Sequence, residues 1–392
     1  MNSKGGPSTR SVHAASGIDP ATRSILPPLV ENAAFAFEDL ETWREVALRR
    51  SPGDTYSRNS NPTERRLEAK VAALEGTEAG LSFATGMSAI HTTLFALLSP
   101  GQRAVSIRDA YGATYLHFTQ ILPRFGIHCQ VCETLDEAQI LQAITQGCDV
   151  LYLETPTNPL LRVVDLEKLA RAAHQVRATV IVDNTFATPI NQHPIELGAD
   201  LVIHSATKYL GGHNDLTGGV VVGPSDLIEK IYKYRELTGP GLGAHRAHLL
   251  LRSIKTLGLR VQRQNENALA MARYLDDHPR IGRVFYPGLE NHPNHAIAIK
   301  QMEGFGGVLS FEVSGGLEAI ARVLPRLEYA YMAPNLGQVD TVVGPPALTS
   351  HVELTPEERE ASGVPEGLVR YAVGIEDIDD LLADMDAALA YL

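Results

Sequence analysis

The sequence predicts an α/β protein: a mostly parallel central sheet between helices, followed by a smaller C-terminal α+β domain. Three observations predict it. Between residues 79 and 222, short apolar runs alternate with amphipathic stretches, the β-α rhythm of a layered sheet. Two of these runs, Val150–Glu154 and Thr179–Asp183, are almost unbroken apolar segments that end in an acid, as suits strands buried on both faces. After about residue 280 the rhythm changes to a strand-like GVLSFEV and separate helical segments.

The elements follow in chain order. The first ten residues read as a disordered lead-in. Residues 20–62 hold Pro, Asn and Ser with little periodicity and read as an extended arm, stable only when it lies on something such as another subunit. In Glu64–Leu74, Leu67, Val71 and Leu74 recur three to four residues apart, which predicts a helix. The predicted strands of the sheet are Ala79–Phe83, Arg103–Ile107, His128–Val131, Val150–Glu154, Thr179–Asp183, Leu201–His204 and Gly219–Val222. Ala89–Leu98, Tyr115–Phe125, Leu166–His174 and Leu227–Tyr234 are the helices between them. One long helix is expected over Ala247–Leu275. Gly316–Arg326 (helix), Leu368–Ile375 (strand) and Ile378–Tyr391 (helix) complete the chain. The implied division is an arm at 1–60, an α/β domain at 61–255 and the α+β domain at 256–392.

Composition narrows the function classes. Of 392 residues, 44% are hydrophobic and 20% charged, and the net charge is −12. That is enough apolar material for a large core, and the acidity argues against a nucleic-acid partner. No stretch approaches the ~18–20 apolar residues of a membrane span, and the N-terminal MNSKGGPSTRSVHAASG lacks the apolar core of a signal peptide. Three cysteines, Cys129, Cys132 and Cys148, fit a reducing cytoplasm better than a disulfide framework. Cys129 and Cys132 form a lone CxxC inside a strand-like run, without the second pair a zinc site needs. His292 and His295 sit in a Pro/Asn-rich loop, and no metal site is expected. Gly239-Pro-Gly241-Leu-Gly243 follows no strand and breaks the dinucleotide pattern. No P-loop or GxSxG occurs.

Ligands of open α/β sheets bind at the carboxyl ends of the strands. Four unusual segments fall there: Thr85-Gly86-Met87-Ser88, Glu154-Thr-Pro-Thr-Asn158-Pro159, Asp183-Asn184-Thr185 and Ser205-Ala-Thr207-Lys208. Lys208 follows a buried strand, where a lysine is costly unless it is paired, neutral or bound as an imine. Ser205 and Thr207 lie beside it, suited to a phosphate while the lysine holds an aldehyde. Asp183, at another buried strand end, suits the ring nitrogen of pyridoxal phosphate, whose protonated ring is an electron sink. Each has a plain alternative, a loop lysine and a turn-capping aspartate. Gly86 and Met87 lie between a strand and the helix Ala89–Leu98; they are either a plain turn or part of a helix start whose backbone N–H groups bind phosphate. Tyr111, after a strand, is placed either to stack on a flat ring or to pack in the core. Arg370 interrupts an apolar strand and suits an α-carboxylate.

Taken together, PPLVENAAFAF, YSRNSNPTERRLE, FATGMSAI, DAYGATY, LETPTNP, VDNTFATP, HSATKYLGGHND, GFGGVLSFEV and GLVRYAVGIED resemble the pyridoxal-phosphate family of cysteine and methionine metabolism. It includes cystathionine γ-synthase, cystathionine γ-lyase, methionine γ-lyase and homoserine-ester sulfhydrylases. The likeness runs from about Thr9 to the C-terminus. It implies the aspartate-aminotransferase fold (fold type I) and a homotetramer of catalytic dimers. It implies that Lys208 is the Schiff-base lysine, Asp183 the partner of the ring nitrogen, and Gly86, Met87, Ser205 and Thr207 phosphate ligands. Tyr56 and Arg58 of the arm then reach the phosphate of the neighbouring subunit, Tyr111 stacks on the ring, and Asn158 and Arg370 hold the substrate carboxylate. The expected chemistry is γ-elimination or γ-replacement on a γ-substituted amino acid, with Tyr111 as proton donor. β-Elimination and a specialised secondary-metabolic reaction stand as alternatives. Two departures bear on substrate. Asn335-Leu336-Gly337 stands where many relatives have Ser-Leu-Gly, beside the substrate carboxylate. Ala113 stands where methionine γ-lyases typically carry Cys, although the segment around 348–377 looks much like theirs.

Overall fold

The apolar runs form strands where the sequence places them. A computed structural model describes residues 5–352 and 355–392. The strands of the first sheet are β1 Ala79–Phe83, β2 Arg103–Ile107, β3 His128–Cys132, β4 Val150–Glu154, β5 Thr179–Asp183, β6 Leu201–His204 and β7 Gly219–Gly223. Their order is β1-β7-β6-β5-β4-β2-β3. The five strands from β6 to β3 pair in parallel, whereas β7 runs antiparallel to both neighbours. Every residue of β4, β6 and β7 is buried, which explains why these strands read as continuous apolar runs. Each fully buried Val, Leu or Ile among them contributes roughly 1.5–3 kcal/mol.

A second sheet comprises β8 Ile281–Phe285, β9 Val308–Val313, β10 Tyr331–Met332, β11 Val342–Gly344 and β12 Leu368–Ala372, ordered β10-β11-β12-β9-β8. All its pairings except β10–β11 are antiparallel. Its core, with Met271, Leu275, Phe311, Tyr371 and Met385, is separate from that of the large sheet. The fold is therefore α/β with a mostly parallel central sheet and a smaller C-terminal α+β unit.

Several expectations need correction. The lead-in is not featureless: Pro7–His13 is helical, and residues 1–4 lie outside the described residues. This helix is held because Arg10 donates to the Leu74 carbonyl and Lys70 Nζ donates to the carbonyls of Val12 and Ala14. The arm contains a helix, Leu40–Ala47, capped by Asp39. The predicted Tyr115–Phe125 helix is three pieces: α over Gly112–Leu116, π over His117–Ile121 and 3-10 over Leu122–Phe125. Pro123 lacks the N–H that a continuous helix requires. The long Ala247–Leu275 helix is two helices, Ala244–Ile254 and Leu257–Asp276. At the break the Ser253 carbonyl accepts from Thr256 N and Oγ1 and from Arg260 Nη2, so it leaves the helical ladder. The helix Glu137–Thr145 and strands β8, β10 and β11 were not foreseen.

Candidate active site

The carboxyl ends of β1, β4, β5 and β6 open into one cavity of about 330 Å³, within the range of small-molecule pockets, about 300–1,000 Å³. Its lining includes Gly86, Met87, Tyr111, Asn158 and Asp183, and also Ser205, Thr207, Lys208 and Arg370. Nine positions flagged in the sequence thus meet at one place.

The turn after β1 starts the helix Gly86–Leu97, with Thr85 as N-cap accepting from Ser88 N at 3.0 Å. Gly86 and Met87, the first two residues of this helix, line the cavity, and the free N–H groups of a helix start favour an anion. A Cβ on Gly86 would come within 3.0 Å of Ser205 Cβ, so glycine lets this turn close against the loop after β6.

Asp183 ends β5 and is buried. Its Oδ1 accepts from Thr185 N at 3.0 Å and Thr185 Oγ1 at 2.5 Å, and its Oδ2 from Tyr152 Oη at 3.2 Å. The Thr185 hydroxyl also accepts from Ser205 N at 2.8 Å, which ties the acid to the Ser205–Lys208 loop. Burial pushes the Asp183 carboxyl above its ordinary range, and the Thr185 donors pull it back. A cation placed beside it would restore the charged form.

Lys208 Nζ donates to Asn335 Oδ1 at 2.6 Å. Burial, assisted by the Arg370 charge, pushes this amine down to about 8, which brings the nucleophilic free base within reach of neutral pH. Arg370 on β12 is buried; its Nη1 donates to Asn158 Oδ1 at 3.1 Å and its Nη2 to the Asn335 carbonyl at 3.0 Å. Asn335 therefore touches both cationic residues, and its own amide donates to Asn214 and Gln338, each at 2.7 Å. Tyr111 is half exposed at the cavity, and its N–H donates to Glu154 Oε2 at 2.7 Å.

Tyr56 and Arg58 are not part of this lining. Arg58 donates to the Glu236 carbonyl at 2.6 Å, and its guanidinium lies 5.7 Å from the Tyr56 ring centre. Sequence reading assigned nothing to Thr85, Glu154, Thr185, Thr217, Thr349 and Ser350, which also line the cavity. Glu154 had a readable sign, since it ends a buried strand in an acid as Asp183 does. Thr349 and Ser350 had none. Elsewhere, the three cysteines are free and burial pushes each thiol up to about 11, which makes them poor nucleophiles. No described helix is long and apolar enough to cross a membrane.

A lysine and an acid at neighbouring strand ends, below a helix N-terminus, define a pyridoxal-phosphate enzyme of the α/β type. The chain belongs to the Cys/Met metabolism PLP-dependent enzyme family, which it matches over residues 8–390. It is 42% identical to the L-methionine gamma-lyase of Pseudomonas putida over 385 residues, 97% of this chain and 96% of that protein. It is 39% identical to the cystathionine beta-lyase of Coxiella burnetii over 99% of both chains. The crystal structure of cystathionine gamma synthase from Xanthomonas oryzae pv. oryzae in complex with cystathionine superposes with a TM-score of 0.94, at 36% identity, over 99% of both chains. The chain is thus a pyridoxal-phosphate-dependent enzyme of that family. The residues present fit that cofactor: the helix start closed on Ser205 suits its phosphate, the buried Asp183 lacks only a cation, and Lys208 is a partly buried amine.

Proposed function

We propose that the enzyme catalyses γ-elimination or γ-replacement on a γ-substituted L-amino acid of the cystathionine, O-acylhomoserine or methionine type. The observation that carries this reading is the convergence of Lys208, Asp183 and Arg370 on one cavity. When bound, pyridoxal phosphate supplies an electron sink for negative charge at the carbon bearing the substrate amine. Asp183 would keep the ring nitrogen protonated. The N–H groups of Gly86 and Met87 and the hydroxyls of Ser205 and Thr207 would hold the phosphate, with Tyr56 and Arg58 of a neighbouring copy completing its shell in a homotetramer. Tyr111 would lie against the ring.

Arg370 and Asn158 clamp the substrate α-carboxylate, the bidentate geometry to which guanidinium is suited. Lys208 takes the proton from Cα, returns it to the substrate adduct and, as a free amine once more, takes one from Cβ; Asn335 Oδ1, which accepts from its amine at 2.6 Å, holds it in place between these tasks. The Tyr111 hydroxyl donates a proton to the departing γ-group. Such positioned acid–base steps contribute about 10²–10⁴-fold each. Elimination and replacement share this path and differ in whether a thiol enters before the unsaturated product is released.

The test is product analysis with O-acetylhomoserine, O-succinylhomoserine, cystathionine and methionine, each with and without cysteine. The expected products are a 2-oxo acid with ammonia, or a new thioether. The Coxiella relative favours β-elimination as a second reading. Cystathionine separates the two: 2-oxobutanoate with cysteine means γ-cleavage, and pyruvate with homocysteine means β-cleavage and overturns the proposal.

A further inference from the structure

Glu154 lines the cavity but has no task in the mechanism above. It ends β4 in register with Asp183 at the end of β5, so two carboxyl groups share the cavity floor. Asp183 accepts three hydrogen bonds. Glu154 accepts one, from Tyr111 N, and its other oxygen has no hydrogen-bond partner among the described residues. The groups facing it bring no countercharge. Asp109 is a third acid nearby, already paired with Arg162 at 2.7 Å. Tyr152, on the same strand, donates its hydroxyl to Asp183. The cavity cations Lys208 and Arg370 are bonded to Asn335 and Asn158 instead. Two adjacent buried carboxyls without a cation do not both ionise, and the proton stays on the one with fewer donors. Burial and the Asp183 charge push Glu154 well above the usual carboxylate range.

We propose that Glu154 is a positioning residue: as a neutral acid it clamps the Tyr111 backbone so that the phenol stands at the site, and it leaves Asp183 the sole negative charge of the pair. The inference rests on the role proposed for Tyr111. A neutral acid keeps the acceptor that the Tyr111 N–H needs. A carboxylate there would set a second negative charge beside Asp183, with no partner for it.

Two measurements test this. In difference infrared spectra of the cofactor-free protein at neutral pH, wild type minus Glu154→Gln should show the C=O band of a protonated carboxyl; absence of the band overturns the proposal. In steady-state kinetics of the holoenzyme, Glu154→Leu should lose about 10²-fold, mainly in kcat, as expected for a misplaced catalytic group, and Glu154→Gln should recover most of that loss. A Gln variant as impaired as the Leu variant shows that charge is required, and a fully active Leu variant shows that no clamp is needed; either result overturns the proposal. Should the Leu variant fail to fold, the infrared band and the Gln variant against wild type decide. The infrared result needs no substrate, and the kinetics use whichever amino acid the product panel identifies. A wrong substrate class therefore leaves the Glu154 result intact.

Discussion

Lys208 shows how burial sets the chemistry of one residue. Its amine lies near 8 rather than at its ordinary 10.5, with desolvation as the main cause. Between those two values the folded protein holds fewer protons than the unfolded chain. Stability of the cofactor-free protein therefore rises with pH across this window, the burial cost of the ammonium being fully present below about 8. Lys70, also pushed down to about 8 by burial, adds to the same slope. Reactivity follows the same sign, because only the free amine attacks an aldehyde. Capture of added pyridoxal phosphate by the cofactor-free enzyme should accelerate about tenfold per pH unit below this value and level off above it. A capture rate that keeps rising tenfold per unit through pH 9, followed by absorbance, would contradict the shifted amine. Lysine and aspartate were legible in the sequence because an ionisable group ending an apolar run is anomalous. The Asn335 contact with Lys208 was not, because it joins residues 127 positions apart.

At the scale of elements, the cavity depends on how closely β7 approaches the turn after β1. A Cβ on Gly219, the first residue of β7, would lie 2.2 Å from the Thr85 carbonyl oxygen. Backbone must move to admit it. Gly219→Ala should cost about 1–3 kcal/mol, as overpacking does, and should also loosen cofactor binding, since the displaced turn carries Gly86 and Met87. Calorimetry and retention of pyridoxal phosphate through dialysis measure the two effects. Loss of stability with unchanged retention would separate this turn from the phosphate site. The inner strands of the large sheet were easy to read because burial on both faces leaves a continuous apolar run. The breaks in helices were harder. Proline marks one at Pro123, but the break after Ile254 follows from the Arg260 side chain reaching the Ser253 and Tyr209 carbonyls, a contact that periodicity does not encode.

Across the whole molecule, the arm is the part that a single chain leaves least explained. Ile25, Leu29, Leu40 and Trp43 are exposed apolar side chains, and Tyr56 and Arg58 stand outside their own chain's cavity. Both features suit an arm that lies on a second copy and completes its phosphate site. Arg58→Ala should therefore weaken cofactor retention. Co-expressed with Lys208→Ala subunits, it should regain activity through mixed dimers that hold one intact site. Dialysis and activity of the purified mixed species check this, and equal retention in Arg58→Ala and wild type argues against a shared site.

The strands of the large sheet, the two acids at strand ends, the lysine and its flanking hydroxyls, and the family were all written in the linear chain. They are local properties: periodicity, anomalous polarity in apolar runs, and short motifs. Tertiary structure alone decided which distant groups meet. It set Glu154 beside Asp183, put Asn335 between Lys208 and Arg370, and docked the N-terminal helix on Lys70. Such pairings depend on strand order and loop closure. The low dielectric they create, which decides which groups hold a proton, exists only once the chain has folded around them.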